Sequence, residues 1–76
     1  MKLKLGGQLS FYAPGKTPQV EVQLDSPTLL SEVLAKVGIP FGEVFLVVVN
    51  GELVEPKDAM VSQDDEVKVF PPMDGG

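Results

Sequence analysis

The sequence predicts an α+β fold, a mixed four- to five-stranded sheet with one main helix packed on one face. Three observations predict it. Lys2–Leu5, Val20–Leu24 and Glu66–Phe70 alternate polar and apolar residues with the two-residue period of half-buried strands. A single segment, Leu29 to Val37, repeats its apolar residues at helical spacing. Asn50-Gly51 joins an apolar, β-branched run to a short return segment, the strongest short signal for a tight hairpin.

Taken in order, Lys2-Leu3-Lys4-Leu5 is the first strand, broken by Gly6-Gly7. Ala13-Pro14-Gly15-Lys16-Thr17-Pro18 is turn material, and Phe11 and Tyr12 before it either cap the core or lie exposed beside the turn. Val20–Leu24 is the second strand, paired with the first as a hairpin. Asp25-Ser26-Pro27 reads as a helix start, with Ser26 as N-cap and Pro27 at the first helical position, where its missing N–H costs nothing. Leu29, Leu30, Val33, Leu34 and Val37 then form one apolar face over about three turns, with Ser31, Glu32 and Lys36 on the other side. Gly38 ends the helix, Ile39 packs back on it and Pro40 prevents its continuation. Phe45–Val49 is a central strand, buried on both faces or nearly so. Glu52-Leu53-Val54 returns from the Asn50-Gly51 turn and is ended by Pro56. Lys57–Val61 is a turn or a single 3₁₀ turn, Ser62–Asp65 a second turn, and Glu66–Phe70 the last strand. A helix laid on one face of such a sheet buries the apolar side of both, which is the β-grasp, or ubiquitin-like, arrangement. Residues 1–70 form this domain and residues 71–76 a flexible tail.

Composition narrows what the domain does. With 43% hydrophobic and 22% charged residues the chain is globular, and at 76 residues it forms one small domain. It has no cysteine and no histidine, which removes disulfides, Cys/His zinc sites and catalysis by Ser-His-Asp or Cys-His sets. The net charge of −5 argues against nucleic acid, whose affinity comes from phosphate neutralisation by Lys and Arg. It suits a partner with a basic docking surface, and equally a merely soluble surface. No apolar run approaches the roughly 20 residues of a membrane span, and the first residues turn to glycine too early for a signal peptide, so no membrane partner and a cytoplasmic location are expected.

The remaining feature is the tail, Pro71-Pro72-Met73-Asp74-Gly75-Gly76. Glycine is about 7% of average usage, so a closing pair is a roughly 0.5% accident. A terminus without side chains passes through a narrow channel, which makes the carboxylate of Gly76 a candidate reactive group. A frayed end or an expression remnant is the bland alternative.

Four segments together carry a resemblance to the MoaD/ThiS sulfur-carrier proteins, a branch of the ubiquitin-like superfamily. They are the helix Thr28–Leu34, the strand and hairpin Val47–Val54, the acidic turn and last strand Asp65–Phe70, and the tail Pro71–Gly76. The Phe70-Pro71-Pro72 start of the tail is closest to the small subunit of molybdopterin synthase. Two departures stand beside it: Asp64 replaces the usual glycine, a position that asks for left-handed backbone, and the Ala13–Lys16 segment lacks the synthase subunits' Leu-Arg.

The resemblance implies a carrier, not an enzyme. An ATP-dependent activating enzyme of the MoeB/ThiF kind adenylates Gly76, a sulfur source converts it to a thiocarboxylate, and that sulfur is given to a pterin precursor or a thiazole precursor, in the first case through a larger catalytic synthase subunit. ATP is used by the partner, and no cofactor or metal is bound by the chain itself. Gly75 keeps the approach to the nucleotide clear, and Pro71 and Pro72 make a stiff lever. Phe70 and Leu53 are candidate docking residues, Phe70 being weighed more heavily as core or rim, and Met73 is a further contact. Asp64, Asp65 and Glu66 either pair with basic residues of the activating enzyme or form a solvated turn. Two other functions share these signals in whole or part: a ubiquitin-like modifier joined through Gly76 to lysines, and a binding module with no C-terminal chemistry. A thiamine- or tRNA-type sulfur carrier remains a further alternative.

Overall fold

The computed structural model describes residues 1–72. Met73, Asp74, Gly75 and Gly76, which carry the tail expectations, lie outside the described residues. Seven strands and one helix follow in the order β1 (Lys2–Leu5), β2 (Gln19–Glu21), β3 (Thr28–Leu29), α1 (Leu30–Val37), β4 (Leu46–Val49), β5 (Glu52–Val54), β6 (Met60–Val61) and β7 (Glu66–Phe70). Five of the strands form one mixed sheet in the order β2-β1-β7-β4-β5. The central pair, β1 and β7, is parallel, with Leu3 opposite Val67 and Leu5 opposite Val69; the other pairs are antiparallel. This is the small α+β arrangement of a β-grasp, and it matches the expected fold class.

Alternation along the strands decides the two faces. Leu3, Leu5, Val47, Val67 and Val69 point to one side and are buried with Leu30, Val33 and Leu34 of α1. No polar side chain is buried among the described residues, so the interior is held by apolar burial. Lys2, Lys4, Glu66, Lys68, Phe70, Leu46 and Val48 occupy the alternate positions and face away from the helix.

The helix begins later than its sequence suggests. Thr28 and Leu29 are held extended by antiparallel pairing with Val61 and Met60, and the Leu30 N–H donates to the Ala59 carbonyl at 2.9 Å. Ser26 therefore does not cap the helix, Pro27 is outside it, and Leu29 is exposed instead of joining the apolar face. A strand pairing between distant segments has overridden a good local start signal. The other end behaves as expected: Gly38 sits at φ 99°, its N–H and that of Ile39 donate to the Leu34 carbonyl, and Ile39 is buried.

Three further segments differ from expectation. The second strand is Gln19–Glu21, while Val22 exchanges hydrogen bonds with Met1, and Leu24 leaves the sheet and donates its N–H to the Gln63 side-chain carbonyl at 2.6 Å. The Lys57–Val61 segment holds a 3₁₀ turn at Pro56–Asp58 followed by a strand, because Met60 and Val61 pair with β3. The run Phe45–Val49 is not a doubly buried strand: only Val47 is fully buried, since the sheet carries a helix on one face only. The Asn50-Gly51 turn forms as expected, with φ 51° and 86° at the two residues, the pair of left-handed conformations a tight hairpin requires.

Candidate functional site

β7 delivers the tail. Its last residue, Phe70, lies opposite Leu46, the first residue of β4, and the Phe70 carbonyl accepts from the Phe45 N–H at 2.8 Å. Pro71, half-buried, and Pro72, exposed, continue from there without regular structure. The root of the tail is thus fixed at the end of the sheet where β1 and β7 finish and β4 begins.

The two candidate docking residues share the open face of the sheet. Leu53 lies opposite Val48 in the β4–β5 hairpin, and Val48 lies opposite Lys68. Phe70 is half-buried at the rim and Leu53 is 68% exposed. Between them Leu46, 37% exposed, and half-buried Val48 complete an apolar stripe running from the edge strand to the tail root. Leu46 and Val48 were hidden in the sequence inside a run that reads as core. The signal that reveals them is in β7: Glu66, Lys68 and Phe70 alternate with Val67 and Val69, so the face they share with Leu46 and Val48 meets solvent.

None of the five aromatic residues is in the core. Phe11 and Tyr12 lie in the 3₁₀ turn that follows β1, Phe41 and Phe45 between α1 and β4, and Phe70 at the end of β7. The Tyr12 carbonyl lies close over Gly38 at the end of α1. The connections therefore gather the aromatics at the end of the molecule from which the tail departs.

The acidic turn is at the opposite end. Asp65 is committed to structure: one carboxylate oxygen accepts from the Ser62 N–H at 2.7 Å and the other from the Asn50 side-chain amide at 2.9 Å. Asn50 in turn accepts from the Glu66 N–H, so Asp65 and Asn50 lock the two turns together. Asp64 does not adopt the left-handed backbone its position suggested; Asn50 and Lys16 are the described non-glycine residues that do. Glu66 is bonded to Lys4 across the β1–β7 pair at 3.3 Å, and this bond and the ammonium charge hold its carboxyl below its usual range. The pair is solvent-exposed and so weak in stability terms. β7 separates this turn from the tail root by about 13 Å, at roughly 3.3 Å per residue.

No group of acidic residues able to hold a metal ion is present among the described residues, and no described helix is long and apolar enough to cross a membrane. The geometry combines an apolar stripe on an otherwise charged open face with the root of the tail at one end of that stripe.

A β-grasp domain arranged in this way is the frame of the ubiquitin-like carrier proteins. The chain belongs to the ThiS family, whose model matches residues 9–76. The members are small sulfur carriers, not enzymes themselves, that work with activating and catalytic partners. Among curated proteins no significant match is found.

Proposed function

We propose that this chain carries sulfur for molybdopterin, the molybdenum or tungsten cofactor precursor, through its residue Gly76. The observation that favours this pathway within the family is the tail sequence Phe70-Pro71-Pro72, which resembles that of the synthase small subunit. The Gly76 carboxylate attacks the α-phosphate of ATP in the activating enzyme, releasing pyrophosphate and leaving an acyl-adenylate. A persulfide on the sulfur donor then displaces AMP to form an acyl disulfide, and a second thiol cleaves its S–S bond, forming a disulfide with the donor and leaving one sulfur in place of one oxygen on Gly76. The thiocarboxylate enters the catalytic synthase subunit and yields its sulfur to a pterin precursor. Gly76 acts as cosubstrate, and the folded domain acts as the handle by which both partners hold it.

Docking falls to the open face, with Phe70 and Leu53 at its two ends. Leu53→Asp places a charge on that face without touching the core. It is expected to weaken binding to the activating enzyme about tenfold or more. Its melting temperature should stay within a few degrees of wild type, as for other exposed substitutions. Titration calorimetry beside a thermal melt reads both, and undiminished affinity would remove the open face from the interface.

The pathway is tested by intact mass. Incubation with ATP, a sulfur donor and the cognate activating enzyme should add the mass difference of one oxygen-for-sulfur exchange at Gly76. The loaded chain, mixed with the synthase subunit and the pterin precursor, should then return to its original mass as dithiolene product forms. Loading without transfer to the pterin would point to a thiamine- or tRNA-type acceptor. Adducts on lysines of other proteins would identify a modifier.

A further inference from the structure

Two consecutive glycines meet the first two residues that lead into the tail. Gly6 follows β1, and its N–H donates to the Val69 carbonyl at 2.8 Å, so it continues the parallel register beside Phe70. Strand alternation gives position 6 to the open face, where a side chain would stand next to Lys4. That space is occupied by the Phe70 ring: a Cβ on Gly6 would lie 2.6 Å from its Cδ1 and 3.2 Å from its Cε1. At Gly7 a Cβ would lie 3.0 Å from Cγ of Pro71.

The backbone separates the two cases. Gly7 has φ 52°, so it is required both for its conformation and for its contact. Gly6 has φ −81° and ψ 153°, an extended conformation open to any residue. The atoms nearest to a side chain there are those of the ring and the Val69 carbonyl oxygen, at 3.2 Å. Gly6 is therefore a glycine kept free of side chain for the sake of Phe70.

We infer that Gly6 and Gly7 form a seat that holds the Phe70 ring and the Pro71 ring, and so are positioning residues for delivery of Gly76 to the activating enzyme. The inference rests on the carrier reading above. The seat keeps the half-buried Phe70 ring over Gly6, beside β1, and presents it to the partner in one orientation. Pro71, lodged against Gly7, sets the direction in which the lever leaves. An aromatic anchor held in one orientation spares a partner the cost of ordering it.

The test uses the full chain with its cognate activating enzyme and reads ATP–pyrophosphate exchange against carrier concentration. The variants are G6A, F70A and their combination, each with a melting curve. G6A is expected to raise KM for the carrier about tenfold, with kcat retained, because the ring is expelled from its seat. F70A also raises KM. Adding G6A to F70A is expected to raise KM by less than about twofold more, since the ring atoms are then gone and only the Val69 carbonyl oxygen, 3.2 Å from the new Cβ, is left close by. If G6A lowers the melting temperature through the clash, F70A must restore it. A nuclear Overhauser contact between the Gly6 α-protons and the Phe70 ring reads the seat in the wild type without any partner. A G6A chain with wild-type KM, or one whose KM rises equally in both backgrounds, overturns the positioning role alone. Wild-type chain that supports no exchange overturns the carrier reading, and the positioning role with it.

Discussion

Deletion of Gly76 is expected to abolish adenylate and thiocarboxylate formation while leaving the melting temperature of the domain unchanged. The two halves of this result have separate causes. Every buried apolar residue among those described lies between Met1 and Val69, so the deletion leaves that core intact. The six residues from Pro71 to Gly76 span at most about 20 Å, and removing one draws the terminal carboxylate back by about 3.5 Å. Displacements of about 1 Å at a reacting group cost on the order of 100-fold, so a full residue should take exchange below detection. Gly75, the new terminus, presents its carboxylate one residue short of the point that Gly76 reaches. Pyrophosphate exchange and differential scanning calorimetry on the same two samples read the result. A truncated chain that still loads sulfur would end the assignment of Gly76 as the carrier atom's residue.

The second large effect concerns stability. Leu34→Ala is expected to cost about 3–5 kcal/mol, the usual range for a fully buried leucine. Leu34 has no exposed surface, and it packs in the cluster that joins α1 to Leu3, Val47 and Val69. A domain of this length has a total stability of about 4–11 kcal/mol, so the substitution removes a large part of it. The melting temperature should fall by about 12 °C or more, at roughly 4 °C per kcal/mol for a domain this small. Leu29→Ala is the control. Its periodicity places it on the same apolar face as Leu34, yet in the structure it is exposed on β3, and its truncation should cost less than about 1 kcal/mol. Urea unfolding of both variants decides between the two placements. Equal losses would return Leu29 to the helix and undo the β3–β6 pairing.

The contrast between those leucines shows what is legible in this sequence. Segments whose signal and partner lie within a few residues read correctly. Asn50-Gly51 closes its own hairpin, Gly38-Ile39-Pro40 ends its own helix, and Glu66–Phe70 states its two faces by alternation. The resemblance to sulfur carriers was legible for the same reason, because it rests on short segments in order, and the family match covers residues 9–76. At the site, Phe70 and Leu53 could be named from the sequence, but their common face could not.

By itself, then, the sequence determined the class of fold, the family, the hairpin, the end of the helix and the exclusion of imidazole and thiol chemistry. Tertiary structure decided where the helix starts, that Met60-Val61 is a strand, that Leu46 and Val48 join Phe70 and Leu53 on an open face, and that Gly6 lies under the Phe70 ring. Each of these depends on which of several distant segments satisfies a backbone N–H or fills a space. Ser26-Pro27 offers a helix start, but Ala59 and Val61, distant in sequence, take the backbone groups of Leu30 and Thr28 instead. A run such as Phe45–Val49 is apolar whether one face or two are covered, and only the placement of the helix on one side leaves the second face bare.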